Sequence, residues 1–131
     1  METIEKSKYI LLETYKKDNT PVKTTVWFIH YDNQIYVVTR DKTGKIKRLR
    51  NNPKLRYSSC TFNGRTSEKG ESGYAKFVDT ETTNEILKIR KKKYGFMDSI
   101  ARFMSKNKGN LIVFAISEKA WTVFGEYFRA L

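Results

Sequence analysis

Apolar residues come in short runs along this chain, each ended by turn-forming residues, a pattern that predicts strands more than helices. The first run, Ser7 to Lys17 (SKYILLETYKK), reads as a strand, with Thr3 to Lys6 as one helical turn ahead of it. The KDNT that follows is a turn, because Asp and Asn side chains bond back to nearby backbone. Pro21 to Tyr31 (PVKTTVWFIHY) is a second strand, rich in β-branched and aromatic residues, with its proline at the first position where no ladder bond is lost. Asp32 and Asn33 tolerate positive φ and close a tight hairpin into QIYVVTR, the third strand.

A short helix comes next. Ile46 and Leu49 in KTGKIKRLRNNP are three apart and give it a narrow apolar stripe. Pro53 ends it, and Asn52 before the proline favours an extended backbone. Lys54 to Phe62 and Ser72 to Asp79 are two more strands, joined through a turn at Asn63-Gly64 and a charged loop from Thr66 to Glu71. Thr82 and Glu85 match a capping box that opens a helix running through Ile86, Leu87 and Ile89 to Tyr94, where Gly95 stops it. A second helix runs from Asp98 through Ile100, Phe103 and Met104 to about Gly109. NLIVFAIS and AWTVFGEYF close the chain as two strands. About six or seven strands at this spacing suggest a small antiparallel barrel, with the late helices packed outside it, so the class is α+β.

The length of 131 residues suits a single domain, 1–131, with a core of its own. No apolar run is long enough to span a bilayer, and the charged METIEKSKY start carries no apolar signal core, so a cytoplasmic location is expected. Cys60 is the only cysteine and His30 the only histidine. Together they fall short of the four ligands of a structural zinc, and no spacing requires them to meet as a nucleophilic pair. His30 alternates with Val26 and Phe28 on one strand face and reads as structural. No Gly-x-Gly-x-x-Gly and no Walker-type loop occurs, so no classical dinucleotide fold is supported.

The charge changes the picture. With 26 basic and 14 acidic residues the net charge is +12, which attracts polyanions of any kind. Much of it lies in TRDKTGKIKRLRNNPK, from Thr39 to Lys54. Thr39 ends a strand, and Thr43 and Gly44 open the short helix, whose free N–H groups and dipole favour an anion. Lys45 and Lys47 stand close behind. Strand end, hydroxyl, helix N-terminus and lysine make a phosphate cradle; a solvated basic helix is the plainer reading. The neighbouring strand, read as the hairpin partner of QIYVVT, would lay Lys23 to Phe28 beside Val38 and Thr39. Trp27 and Phe28 would then line a flat slot, with Thr24 and Thr25 at the polar edge of a ring. The alternative is that Val26, Trp27 and Phe28 are barrel core, which at least one of Trp27 and Phe28 is expected to be. Lys42 to Arg56 with Tyr57 also offers basic and aromatic residues to a single-stranded nucleic acid, although the aromatics mostly alternate as core positions do.

The order PVKTTVWFIHYDNQIYVVTRDKTGKIKRLRNNPKLRYSSC, then a loop, AKFVD and a helix ending RKKKYG, resembles the pyridoxamine 5'-phosphate oxidase-like FMN-binding split-barrel superfamily. Within it the chain looks most like the deazaflavin-dependent (coenzyme F420) oxidoreductases, over Tyr9 to Ile116. The resemblance implies a six-stranded antiparallel split barrel with flanking helices. It implies a homodimer with coenzyme F420 or FMN at its interface, and hydride transfer to a small-molecule substrate without a nucleic-acid partner or a membrane span. It also implies site residues. Lys23, Thr24, Thr25, Val26, Trp27 and Phe28 run beside the ring, largely through backbone groups. Val38 and Thr39 border the ribityl chain. Thr43, Gly44 and Lys45 hold the phosphate, and Lys47 matches a usually basic position. No catalytic acid–base residue and no metal is implied. The oxidases proper carry an Arg-Lys pair where this chain has Gly44 and Lys45, and their C-terminal Arg- and Trp-containing segment has no residue-by-residue match here, so vitamin B6 oxidation is not implied.

Overall fold

The computed structural model describes residues 9–61, 64–66 and 70–118, and the backbone of residues 120–121 and 127–128. Seven strands form one antiparallel sheet: β1 (Tyr9–Tyr15), β2 (Pro21–Trp27), β3 (Ile29–Tyr31), β4 (Gln34–Arg40), β5 (Lys54–Cys60), β6 (Glu71–Phe77) and β7 (Leu111–Ser117). Their order across the sheet is β2-β1-β5-β6-β7-β4-β3. The two edge strands, β2 and β3, are separated in sequence by Phe28 alone. One segment therefore ends the sheet on both sides, and the sheet curls into a barrel of six strands when β2 and β3 are taken as one. The hairpin between β3 and β4 turns on Asp32 and Asn33, with φ of 52° and 60°, the left-handed pair a two-residue turn of this hand needs.

Residue alternation sets the layers. In β1, Ile10, Leu12 and Thr14 are buried, and their register partners Val26, Thr24 and Val22 turn the even positions of β2 to the same side. The interior cluster joins Ile10, Leu12, Phe28, Val37, Leu55, Ala75 and Phe114 to Ile46 and Leu49 of α1 (Gly44–Asn51). The narrow stripe of that short helix thus plugs the barrel end. A smaller cluster of Ile29, Ile86 and Val113, with Tyr36, Val38, Ile89 and Tyr94 against it, fixes α2 (Thr80–Tyr94) to the outside.

Several boundaries differ from the sequence reading. The run Pro21 to Tyr31 is broken at Phe28 rather than continuous. Helix α2 starts before the Thr82–Glu85 box, because Asp79 is the cap: its side chain accepts from the Thr82 N–H at 2.8 Å. Helix α3 (Phe96–Ser105) follows Gly95 at once and passes into a 3₁₀ turn over Lys106–Lys108. AWTVFGEYF is not one strand; β8 (Ala120–Trp121) pairs with β9 (Tyr127–Phe128) as a separate ribbon. The helical turn expected at Thr3 to Lys6 and the turn at Asn63 lie outside the described residues. Among the described residues no helix is long and apolar enough to cross a membrane.

The break at Phe28 has a specific cause. Its ring is 1% exposed and sits in the interior cluster. Its N–H donates to the Tyr94 hydroxyl at 3.3 Å, and its carbonyl accepts from that hydroxyl at 3.0 Å and from Lys93 Nζ at 2.9 Å. Side chains of α2 thus satisfy the backbone groups a neighbouring strand would otherwise take. Replacing Tyr94 by Phe leaves the Phe28 N–H without this partner, and urea unfolding should show a loss of about 1–3 kcal/mol.

A candidate anion cradle beside the barrel split

Helix α1 begins with an N-terminus that its own side chains leave open. Thr43 has the extended N-cap backbone but makes no side-chain cap, and no acidic residue stands in the first turn. Its hydroxyl instead donates to the Arg40 carbonyl at 2.9 Å, which fastens the turn between β4 and α1. The first N–H groups of the helix are therefore left for another acceptor. Beside them the Lys45 Nζ lies 3.4 Å from the Thr39 hydroxyl, at the end of β4. Burial lowers the Lys45 pKa from the ordinary 10.5, and the nearby Arg48 guanidinium lowers it further. This cation is held where it is poorly solvated, which an incoming anion would relieve.

The sequence reading missed Arg48 and Thr14. The Arg48 Nε donates to the buried Thr14 hydroxyl at 2.8 Å, and a Cβ built on Gly44 would come within 2.9 Å of its Nη1. Arg48 is three and four residues beyond Lys45 and Gly44, so all three share one helix face. That spacing was readable; its pairing with Thr14, thirty-four residues away, was not. Thr39, Gly44, Lys45, Arg48 and Thr14 thus converge at one barrel end. Lys47 does not join them. It is exposed and lines an open cavity with Asp41, Lys42, Thr43 and Arg50.

The expected strand partner also needs correction. Of the run Pro21 to Tyr31 only β3 pairs with β4, through Ile29↔Tyr36 to Tyr31↔Gln34, whereas β2 pairs with β1. Val38 and Thr39 pair with Val113 and Ile112 of β7. After Phe28 is handed to α2, the chain peels away from β4, and this divergence is the split of the barrel. Strand β2 is left as an edge with one row of backbone groups unpaired in the sheet.

Nor do Trp27 and Phe28 line one slot. Phe28 is core. Trp27 faces outward, stacked on Tyr94 at 4.2 Å with an interplanar angle of 7°, and the Arg90 guanidinium lies 5.3 Å from its ring. The half-buried Val38 packs against the outer cluster. Val26 packs against the interior, Lys23 is exposed opposite Glu13, and Thr25 shares a hydrogen bond with Cys60. Thr24 is half-buried opposite Leu12, on the inner side. Burial pushes the Cys60 thiol up, so it is a poor thiolate at neutral pH. Cys60 and His30 lie on β5 and β3, which are not neighbours in the sheet.

Comparison with solved structures identifies the architecture. The heme storage protein HutZ of Vibrio cholerae superposes with a TM-score of 0.67 at 12% identity, over 88% of this chain and 84% of that one. General stress protein 26 of Bacillus anthracis gives 0.60 at 20% identity, over 97% and 92%. A pyridoxamine 5'-phosphate oxidase-related, FMN-binding protein of Nostoc punctiforme gives 0.58 at 12% identity, over 92% and 84%. This chain has the pyridoxamine 5'-phosphate oxidase-like split-barrel fold. No family model and no curated protein matches it in sequence. At these identities the split barrel is a shared scaffold, and what it holds is a matter for the side chains of each chain.

The desolvated lysine gives a stability test. Between the lowered folded pKa of Lys45 and 10.5, the unfolded chain binds more protons than the folded one, so stability rises with pH through that window. Below the window both states are charged and the cost of burial is full. Lys45→Met removes this term. Urea unfolding of the ligand-free protein should show the variant at least as stable as wild type at pH 7, with the wild type gaining on it as pH rises. Taking the difference cancels the opposite trend of Tyr15, Tyr57 and Tyr94, whose pKa values are pushed up to about 12.

Proposed function

We infer that this split barrel binds a phosphate-bearing flavin or deazaflavin and serves as an oxidoreductase. The observation that carries the reading is the uncapped α1 N-terminus together with the desolvated Lys45 of its first turn, whose ammonium lies at the Thr39 hydroxyl. The donor set fits a phosphate: backbone N–H groups of Gly44 and Lys45, the Thr39 hydroxyl and two cations, with Gly44 leaving room for close approach. The heme of the neighbour HutZ has no phosphate to occupy such a cradle, so this chain reads differently from that neighbour although the scaffold is shared.

The chain's own residues would do four things. Lys45 and Arg48 neutralise the phosphate. Thr14 fixes the Arg48 guanidinium, and Thr39 orients the Lys45 ammonium. The free edge of β2, over Lys23 to Trp27, offers backbone donors and acceptors to the polar rim of a ring lodged in the split. When bound, the ring supplies the hydride exchange with a small-molecule acceptor, and the protein supplies anchorage and exclusion of water. Coenzyme F420 is the favoured ligand over FMN, since its phosphodiester and glutamate tail suit a +12 chain better than a single phosphate does. A homodimer whose second copy closes the open split completes the site. A cytoplasmic setting agrees with Cys60 being the only cysteine of the sequence, which leaves it no internal disulfide partner.

Fluorescence titration of the cofactor-free protein with coenzyme F420 and, separately, FMN tests the reading. Tight binding of either supports it, and the tighter of the two names the cofactor. Lys45→Glu should weaken binding by about 100-fold or more without loss of fold, since it removes a charge-assisted bond and adds a repulsive charge. Binding of neither, or unchanged binding by Lys45→Glu, would count against it. Cys60→Ser should leave both binding and redox activity nearly unchanged.

A further inference from the structure

Helix α3 is docked by its polar side. Asp98, 1% exposed, is its one buried residue, and it pairs with Arg90 Nε at 3.2 Å and Arg102 Nε at 3.0 Å. Arg40, at the end of β4, clamps the far end. Its guanidinium donates to the Ser105 hydroxyl at 3.1 Å, the Arg102 carbonyl at 3.0 Å and the Gly109 carbonyl at 3.1 Å. The spacing of Asp98, Arg102 and Ser105 keeps these anchors on one face. The opposite face is apolar and outward. Phe96 is 80% exposed, Phe103 69% and Met104 78%, with Met97 and Ile100 beside them. A helix covering its own core would be turned the other way. Exposed apolar area of this kind marks a surface that is covered in use.

The charges around it select the cover. From Lys91 to Lys108 the chain has Lys91, Lys92, Lys93, Arg102, Lys106 and Lys108, and its one carboxylate, Asp98, is buried in the ion pairs. Lys91, Lys92, Lys106 and Lys108 are exposed at the two ends of the apolar face. A second copy pairing through this face, parallel or antiparallel, would set lysines against lysines. An anionic bilayer would take the lysines at its headgroups and the aromatic and methionine side chains at the acyl boundary. We propose that α3 is a membrane-surface anchor, by which the protein lies on an anionic lipid bilayer without spanning it. The anchor rests on α3 and its flanks alone and does not depend on what the barrel binds.

Co-sedimentation of the full chain with vesicles tests this, using phosphatidylcholine alone and phosphatidylcholine mixed with phosphatidylserine. Wild type should pellet with the mixed vesicles, bind the neutral ones weakly, and release as salt rises. The triple variant Phe96→Ser, Phe103→Ser, Met104→Ser alters only exposed side chains and should keep its thermal melt while losing about tenfold or more in partitioning. Lys91→Glu with Lys106→Glu should lose at least about tenfold as well. Wild type left in the supernatant with both vesicles would overturn the proposal. So would a triple variant that pellets like wild type, which would mean general charge attraction. A wild-type dimer that becomes a monomer in the triple variant, without vesicle binding, would assign the face to a second copy. Flavin titration of the Lys91→Glu, Lys106→Glu variant reads the barrel site separately, whereas Met104 of the triple variant lines an open cavity with Trp27 at the end of β2.

Discussion

The fold turns on one residue whose backbone is bonded by side chains rather than by a strand. Phe28 buries its ring in the barrel and gives its N–H and carbonyl to Tyr94 and Lys93. If those groups were free, the ladder between β3 and β4 would have every reason to continue, because unpaired backbone groups in a protein interior are costly. With them satisfied, β2 is released to pair with β1. The same segment then borders both edges of the sheet, and a gap opens between β2 and β4. The stacking of Trp27 on Tyr94 under the Arg90 guanidinium holds the diverging strand against α2. The split is therefore built by helix α2, although it is formed of strands.

What stands beside the gap follows from two economies of the chain. Thr43 uses its hydroxyl to fasten the turn behind it and so leaves the helix ahead uncapped. Glycine at the next position keeps the approach clear for the Arg48 guanidinium. The result is a local excess of positive charge and donors, in which burial and the neighbouring Arg48 guanidinium lower the pKa of Lys45. Sites that bind anions strongly are commonly of this kind, since the ligand removes a penalty as well as adding bonds.

Local chemistry in the sequence was a good guide where it was self-contained. The Asp32-Asn33 turn, the Ile46 and Leu49 stripe, and Gly95 as a helix stop all depend on neighbours in the chain, and all were legible. The convergence of Thr39, Gly44 and Lys45 was legible for the same reason, because the end of β4 at Arg40 and the start of α1 at Gly44 are four residues apart. Features decided by distant partners were not. The run from Pro21 to Tyr31 carries no breaker, and its interruption is imposed by Tyr94 from another element. Arg48 looked like one more solvated cation until Thr14 fixed it. The apolar period of α3 was visible, but periodicity reports that a helix has two faces and not which one the barrel receives. The Arg90–Asp98–Arg102 group settles that choice, and it reverses the usual orientation.

Seating of a phosphate-bearing ligand on the N-terminus of α1, within the barrel split, is open to direct observation. Backbone amide chemical shifts, followed by NMR as FMN is added, test it most directly. The largest changes are expected at Gly44, Lys45 and Ile46, with a second set along Lys23 to Trp27 and at Thr39. Changes confined to the exposed lysines of α2 and the 3₁₀ turn, leaving Gly44 to Ile46 unmoved, would contradict it.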